Sequence, residues 1–129
     1  MKRIALLAVL ILAAVAHGCS KPPSVPTPSG IGPDGMSGAL VGDVRQINIV
    51  AGATAIKPDK IYVRKGEDIR LYVTSTDVAR TFVIDNLNVS EKLVPGKASL
   101  IEFSPGAWGS YPYHFADDKK IGGMLVVVP

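Results

Sequence analysis

Short runs of alternating apolar residues, each ended by turn-forming residues, limit the fold of this chain more than any other feature. In KIYVRKGEDIRLYVTS, residues 60–75, two such runs flank the tripeptide KGE, and Ile69, Leu71 and Val73 share one face. Later runs are TFVI, KASLIEF, SYPYHF and GGMLVVV, and no stretch shows helical periodicity over ten residues. Six or seven short strands separated by Pro, Gly, Asn and Asp predict an all-β fold, a small antiparallel Greek-key sandwich over residues 43–129.

The first nineteen residues, MKRIALLAVLILAAVAHGC, have the pattern of an export signal. Lys2 and Arg3 precede thirteen apolar residues, fewer than the ~20 that span a bilayer as a helix. A buried core helix is the alternative interpretation.

The tetrapeptide AHGC resembles the lipobox of bacterial lipoproteins, in which the cysteine, here Cys19, is lipidated and becomes the new amino terminus. Cleavage after Ala16, which would leave a free thiol, is the other interpretation. The lipoprotein reading predicts a membrane anchor through lipid on Cys19, at the periplasmic face of a bacterial membrane. Ser20 at the second position favours the outer membrane over the inner one.

Residues 20–42, SKPPSVPTPSGIGPDGMSGALVG, are dense in Pro, Gly and Ser and predict an extended, poorly ordered linker. The net charge of +3 includes Lys2 and Arg3, so the chain after the signal is nearly neutral. Such a chain lacks the clustered basic residues that nucleic acid requires. If Cys19 carries lipid, the folded part has no thiol, which excludes disulfides, iron–sulfur clusters and thiol catalysis.

Three segments in order, KPDKIYVRKGEDIRLYVTSTD, FVIDNLNVSEKLVPG and FSPGAWGSYPYHF, carry a family resemblance. Together they resemble a cupredoxin, closest to the branch that includes the C-terminal domains of cytochrome c oxidase subunit II and nitrous oxide reductase. The resemblance covers about residues 55–128. It implies a sandwich in which the family's copper ligands converge at one end.

In that family a histidine stands two residues before a phenylalanine that Phe82 matches, a cysteine ends the YPYH strand, and a second histidine and a methionine follow. The resemblance therefore implies four substituted ligand positions: Arg80, Phe115, Asp118 and Ile121. A blue-copper centre needs a thiolate and two imidazoles with a weak axial thioether. Arginine, phenylalanine and isoleucine have no lone pair to give. The expectation is a cupredoxin-like domain with no metal and no other cofactor.

A guanidinium aimed at one end of a sandwich needs a partner. Arg80 is therefore predicted to hydrogen-bond Asp117 or Asp118, in bidentate fashion, while Phe115 and Ile121 fill the space beneath. The alternative is that Arg80 reaches solvent.

His114 has the opposite strand parity to Tyr113 and Phe115, which predicts an outward-facing, solvated side chain. Together with Asp117 and Asp118, His114 would supply only a few ligands for an adventitious copper or zinc ion. Ser110, His114 and Asp117 are close in sequence, but a catalytic triad is defined by geometry. No nucleophile is paired with a base, and the chain is predicted not to be an enzyme.

The functional hypothesis is a binding or accessory module, which a respiratory or redox complex in the periplasm could use as a protein partner. The aromatic residues at 108, 111, 113 and 115 are assigned to the core and rim of the sandwich rather than to a binding platform. The alternative is a copper-binding electron-transfer or carrier protein with non-standard ligands. The possible docking surface is formed by Arg80, Trp108, Asp117, Asp118 and Lys119.

Overall fold

The computed structural model describes residues 27–77 and 79–129. The predicted signal, Cys19 and the first part of the predicted linker lie outside these residues. No helix in the described part of the chain is long and apolar enough to cross a membrane. The strands are β1 Ala39–Val41, β2 Val44–Ala51, β3 Ile56–Lys57, β4 Lys60–Arg64, β5 Asp68–Ser75, β6 Thr81–Ile84, β7 Val89–Lys92, β8 Ala98–Phe103, β9 Gly109–Phe115 and β10 Asp118–Val128.

The strands form two sheets, which confirms the prediction of an all-β sandwich. The first sheet has the order β1-β2-β5-β8, with β3 beside β2, and the second has the order β4-β10-β9-β6-β7. The β2–β5 and β4–β10 pairs are parallel, so the sheets are mixed rather than purely antiparallel. The reason is that β4 and β5, although joined by a tight turn, belong to different sheets and each pairs with a strand distant in sequence.

The core lies between the sheets and is made by alternate residues of the strands. Ile69, Leu71 and Val73 of β5 are all buried, as their shared face predicts. From the second sheet, Phe82 and Tyr113 enter the same cluster with their ring centroids 5.7 Å apart. The period-two pattern thus correctly identifies the buried face of these strands.

The second half of the predicted linker is folded, which corrects the assignment of residues 20–42. The Ser29 amide donates to the carbonyl of Asn48 at 3.0 Å, and the Ser37 amide donates to the carbonyl of Tyr62 at 2.8 Å. The Tyr62 amide donates in turn to the Ser37 hydroxyl at 2.8 Å. Gly38, at φ 69°, allows the close approach, because a Cβ there would lie 2.1 Å from the carbonyl oxygen of Gln46. The segment satisfies the backbone groups of strand edges that would otherwise be open.

A buried arginine holds this segment in place. The Arg45 side chain is fully buried, and its Nε donates to the two carboxylate oxygens of Glu67 at 2.9 and 3.0 Å. Nη1 donates to the carbonyl of Ser37 at 2.8 Å, and Nη2 donates to Asp34 Oδ2 at 2.6 Å. The hydrogen bond from Arg45 is the main cause that lowers the pKa of the Asp34 carboxyl. We call Asp34, Ser37, Arg45 and Glu67 the Arg45 clasp.

Candidate functional site

Three elements bring the four predicted ligand positions to one end of the sandwich. Arg80 precedes β6, and Phe115 ends β9 opposite Phe82 of β6. Strand β9 turns into β10 through the two residues 116–117, so that Asp118 pairs with Phe115. We call Arg80, Phe115 and residues 116–121 the Arg80 end.

Arg80 lies over the ring of Phe115, with its Cζ atom 4.7 Å from the ring centroid. Its Nε is 3.7 Å from Asp117 Oδ2, which is an ion pair without a hydrogen bond. Its Nη1 is buried and has no hydrogen-bond partner among the described residues. Asp118 instead accepts from the Lys120 amide at 3.0 Å. The predicted pairing with an acid of this loop is therefore present at Asp117 only, and the predicted bidentate hydrogen bond is wrong.

Apolar side chains fill the space beneath the guanidinium. Phe115 is fully buried in the core, and Ile121 is partly buried against it. The pairing register shifts between Asp118 and Gly122, which takes residues 119–121 out of the regular ladder between β9 and β10. Such an irregularity bends the strand locally and carries residue 121 back over the core.

The side chains at these four positions do not fit a copper ion. A blue-copper centre uses a thiolate, two imidazoles and a weak thioether. The Arg80 guanidinium only donates hydrogen bonds, and the Phe115 side chain has no donor atom for a metal. The described residues also contain no group of three or more His, Cys, Asp and Glu side chains that could hold a metal ion.

His114 is buried, which corrects the prediction of a solvated side chain; its relative exposure is 6%. Nε2 lies 3.1 Å from each carboxylate oxygen of Asp85, and Nδ1 lies 2.7 Å from the carbonyl oxygen of Phe115. Both ring nitrogens thus face protein oxygens, and a metal would have to displace Asp85. Strand parity gives the face of a side chain but not what covers it, and Asp85 lies 29 residues away in the sequence.

Trp108 lies at the opposite end from Arg80, which corrects its place in the predicted docking surface. It directly precedes Gly109, which opens β9 and pairs with Val127 near the end of β10. Arg80, in contrast, lies next to the far end of β9. Trp108 is 66% exposed, so it does not belong to the core. The seven extended residues of β9 separate its loop from Phe115.

The structure does not bring Ser110, His114 and Asp117 together as a triad. Ser110 and His114 both lie on β9, and four residues along a strand separate them by about 13 Å. Asp117 lies in the turn beyond the end of this strand, where it pairs with Arg80.

A family model described as Cupredoxin-like domain matches residues 4–127 of the chain. The metal-binding domain of the Cu(I)-exporting P-type ATPase of Streptococcus pneumoniae has a TM-score of 0.65 at 18% identity, over 71% of this chain and 93% of that one. The periplasmic domain of subunit II of cytochrome oxidase from Bradyrhizobium japonicum has a TM-score of 0.57 at 16% identity, over 64% and 83%. A copper-binding protein solved in its apo form gives 0.63 at 16%, over 69% and 92%. These likenesses concern the fold. No curated protein matches the chain.

Proposed function

The chain belongs to the cupredoxin-like domain family, and from this premise we propose that it is a metal-free member that acts by binding a protein partner. In this proposal, lipid on Cys19 anchors the domain to the periplasmic face of a bacterial membrane, the outer membrane rather than the inner one. The domain is not an enzyme, and it carries no copper. The observation that carries the proposal is the guanidinium of Arg80 over the ring of Phe115, at the positions where the family has a histidine and a cysteine.

Arg80 and Phe115 disfavour copper binding in two ways. They stand in place of an imidazole and a thiolate, which are the strongest ligands of the family's site. Arg80 also places a permanent positive charge beside the position of the metal, and like charges repel most strongly where water is largely excluded. The Arg80 side chain is 23% exposed, so solvent screens this repulsion only in part.

The Arg80 end supports the binding role because it exposes a mixed set of charged and apolar side chains. Asp117 is 64% exposed, and Lys119 is exposed next to it. Val94 is also exposed, close to Arg80 because the Leu93 amide donates to the Arg80 carbonyl at 2.7 Å. Protein interfaces commonly combine apolar side chains with charged ones in a single patch. The proposed docking surface is therefore Arg80, Val94, Asp117, Asp118 and Lys119, without Trp108.

Copper titration of the purified chain tests the metal-free reading. With Cu(II) added, we expect no charge-transfer absorption, and with either Cu(II) or Cu(I) we expect no rise in Tm, because a ligand that binds only the native state must raise Tm. The comparison variant R80H/F115C/D118H/I121M carries the four ligand types of the family, and we expect it to gain the thiolate-to-copper band. A band or a rise in Tm at stoichiometric copper in the natural chain would instead support a copper carrier or electron-transfer protein with non-standard ligands.

A further inference from the structure

Strand β1 lies at one edge of the first sheet. It forms a hairpin with β2 in which Val41 pairs with Val44 across the two residues 42–43. A two-residue hairpin of this kind closes with a hydrogen-bonded pair, and hydrogen-bonded and non-hydrogen-bonded pairs then alternate along the ladder. Leu40, which pairs with Arg45, therefore directs its amide and its carbonyl away from β2. Neither group makes a backbone hydrogen bond outside the ladder in the described part of the chain.

The other edge strands of the two described sheets are protected against pairing with a further strand. Strands β3, β7 and β8 carry the charged side chains of Lys57, Glu91 and Glu102. Strand β4 is covered at Tyr62 by the segment before β1. Charged side chains and covering segments are the usual means by which proteins block an open edge. Residues 35–42, which include β1, contain no charged residue and no proline.

This uncharged edge is also rich in exposed apolar side chains. Six large hydrophobic side chains are exposed among the described residues, and three of them, Ile31, Leu40 and Val41, lie here. Leu40 and Val41 belong to β1 itself, and Ile31 forms a β-bridge with Ser37 close to the start of β1. Single exposed apolar residues are normal on a protein surface, whereas a cluster of them on an unblocked edge favours pairing with another chain.

The chain's own amino-terminal residues are not suited to cover this edge. Residues 20–28, SKPPSVPTP, contain four prolines, and a proline has no amide hydrogen to give to a ladder. Pro22 and Pro23 are adjacent, so one of them would face β1 in either register, because successive residues of a strand bond to opposite sides. The next amide along, that of Ser29, already donates to the Asn48 carbonyl at 3.0 Å.

A second copy of the same chain fits the edge without such a conflict. When two β1 strands run antiparallel about a twofold axis at Leu40, each Leu40 amide donates to the Leu40 carbonyl of the other copy. The two Leu40 side chains then face each other, and Val41 lies opposite Ala39 of the second copy. Apolar cross-strand pairs of this kind stabilise a sheet. Asp43, three residues from the axis, lies opposite Ser37 rather than opposite a second Asp43, so the acids do not repel.

We propose that β1 pairs with β1 of a second copy, so that the chain forms a twofold dimer through this edge. The pairing joins the first sheets of the two domains into one continuous sheet. The interface is small, because β1 has three residues, and an interface of this size forms a weak, concentration-dependent dimer rather than an obligate one. The inference rests on neither the proposed anchor nor the proposed docking surface.

The dimer leaves the Arg80 ends of both copies free. Leu40 pairs with Arg45 near the start of β2, and β2 and β5 run in parallel from Val44 and Asp68. Arg80 follows the far end of β5. Two docking surfaces on one assembly would bind a partner with two matching sites more tightly than one surface does.

Sedimentation velocity of the full chain in mild detergent tests the dimer. Micelles are kept in excess over protein, so that two chains share a micelle only by associating, and a reductant excludes a disulfide between two copies of Cys19. We expect the natural chain to shift from monomer towards dimer between about 1 µM and about 100 µM. L40K sets two like charges opposite each other across the axis and should raise the dissociation constant at least about tenfold. L100K, the same change at an exposed leucine of the protected strand β8, should leave it unchanged.

A mixture of L40K and L40E provides a second arm. Each variant alone sets like charges at the axis, whereas a mixed pair sets opposite charges there, so we expect dimers in the mixture and monomers in each variant alone. The Tm of each variant shows that it is folded. A natural chain that stays monomeric throughout this range would overturn the proposal. A dimer that L40K weakens no more than L100K does would place the interface elsewhere and overturn it as well. A mixture that stays monomeric would overturn the antiparallel pairing at Leu40.

Discussion

Arg80 combines a cation–π contact, an ion pair with the exposed Asp117 that contributes little, and one buried donor without a partner. The cation–π contact with Phe115 at 4.7 Å is worth about 0.5–2 kcal/mol. The buried Nη1 without a partner costs about 1–3 kcal/mol. These terms nearly cancel, so Arg80 is not the structural plug that a bidentate hydrogen bond would have made. Its presence is better explained by the surface it forms than by stability.

A methionine scan of two arginines tests this balance. Arg80→Met keeps an apolar stem over Phe115 and removes the unmet donor, so we expect the free energy of unfolding to change by less than about 1 kcal/mol. Arg45→Met, the matched control, leaves Glu67 and Asp34 without their charged donor and should lose about 3–5 kcal/mol. Urea unfolding measures both values. An equal loss in the two variants would show that Arg80 supports the fold as Arg45 does.

Strands β4, β9 and β10 of the second sheet are joined by close contacts around Gly123 of β10. Gly123 pairs with Tyr113 of β9, and the Tyr113 hydroxyl donates to the carbonyl of Pro58 before β4. Burial raises the pKa of Tyr113, with a smaller contribution from Asp59, so the hydroxyl stays a neutral donor. The tyrosine thereby links the middle of the second sheet to the start of its edge strand.

Gly123→Ala should break this arrangement. A Cβ at residue 123 would lie 2.4 Å from the Asp59 carbonyl oxygen and 2.5 Å from the Tyr113 hydroxyl. Overpacking of this kind costs about 1–3 kcal/mol. Gly106→Ala is the matched control, because a Cβ there meets no atom within 4 Å, and it should be neutral. The comparison is read from Tm, and a Gly123→Ala variant as stable as the control would contradict the packing described for β10.

At the scale of the whole molecule, the domain begins earlier than residue 43. Residues 29–41 bond to β2 and β4, one strand from each sheet, and the Arg45 clasp joins them to the turn before β5. The segment therefore covers one open side of the sandwich. It also brings the chain from the proposed anchor onto the fold without a flexible joint after about residue 29.

Truncation tests this boundary. A chain of residues 43–129 lacks Asp34 and Ser37, so Arg45 loses two hydrogen bonds and the segment that covers it, and keeps only Glu67. We expect it to be less stable than residues 27–129 by at least about 2 kcal/mol, measured by urea unfolding. Residues 20–129 serve as the reference and should match residues 27–129. Equal stability of the 43–129 and 27–129 chains would show that the segment is only appended to the domain.

The sequence alone indicated the longer strands, the buried face of β5 and the family, but not the short strands β1, β3 and β7. Alternation is a local property, so Ile69, Leu71 and Val73 could be assigned to the core without knowledge of their partners. The order of the family motifs indicated the sandwich fold. It also identified Arg80 and Phe115 as neighbours, which the structure places in contact.

Only the tertiary structure decided which distant residues meet. The Asp85 carboxylate that covers His114 is 29 residues away, the Glu67 partner of Arg45 is 22 away, and β2 pairs in parallel with β5. Strand parity tells on which face a side chain lies, but the cover of that face comes from another part of the chain. Trp108 and Phe115, seven residues apart, lie at opposite ends of the sandwich because β9 extends between them. A β-strand separates in space what is close in sequence, and the sheet joins what is distant.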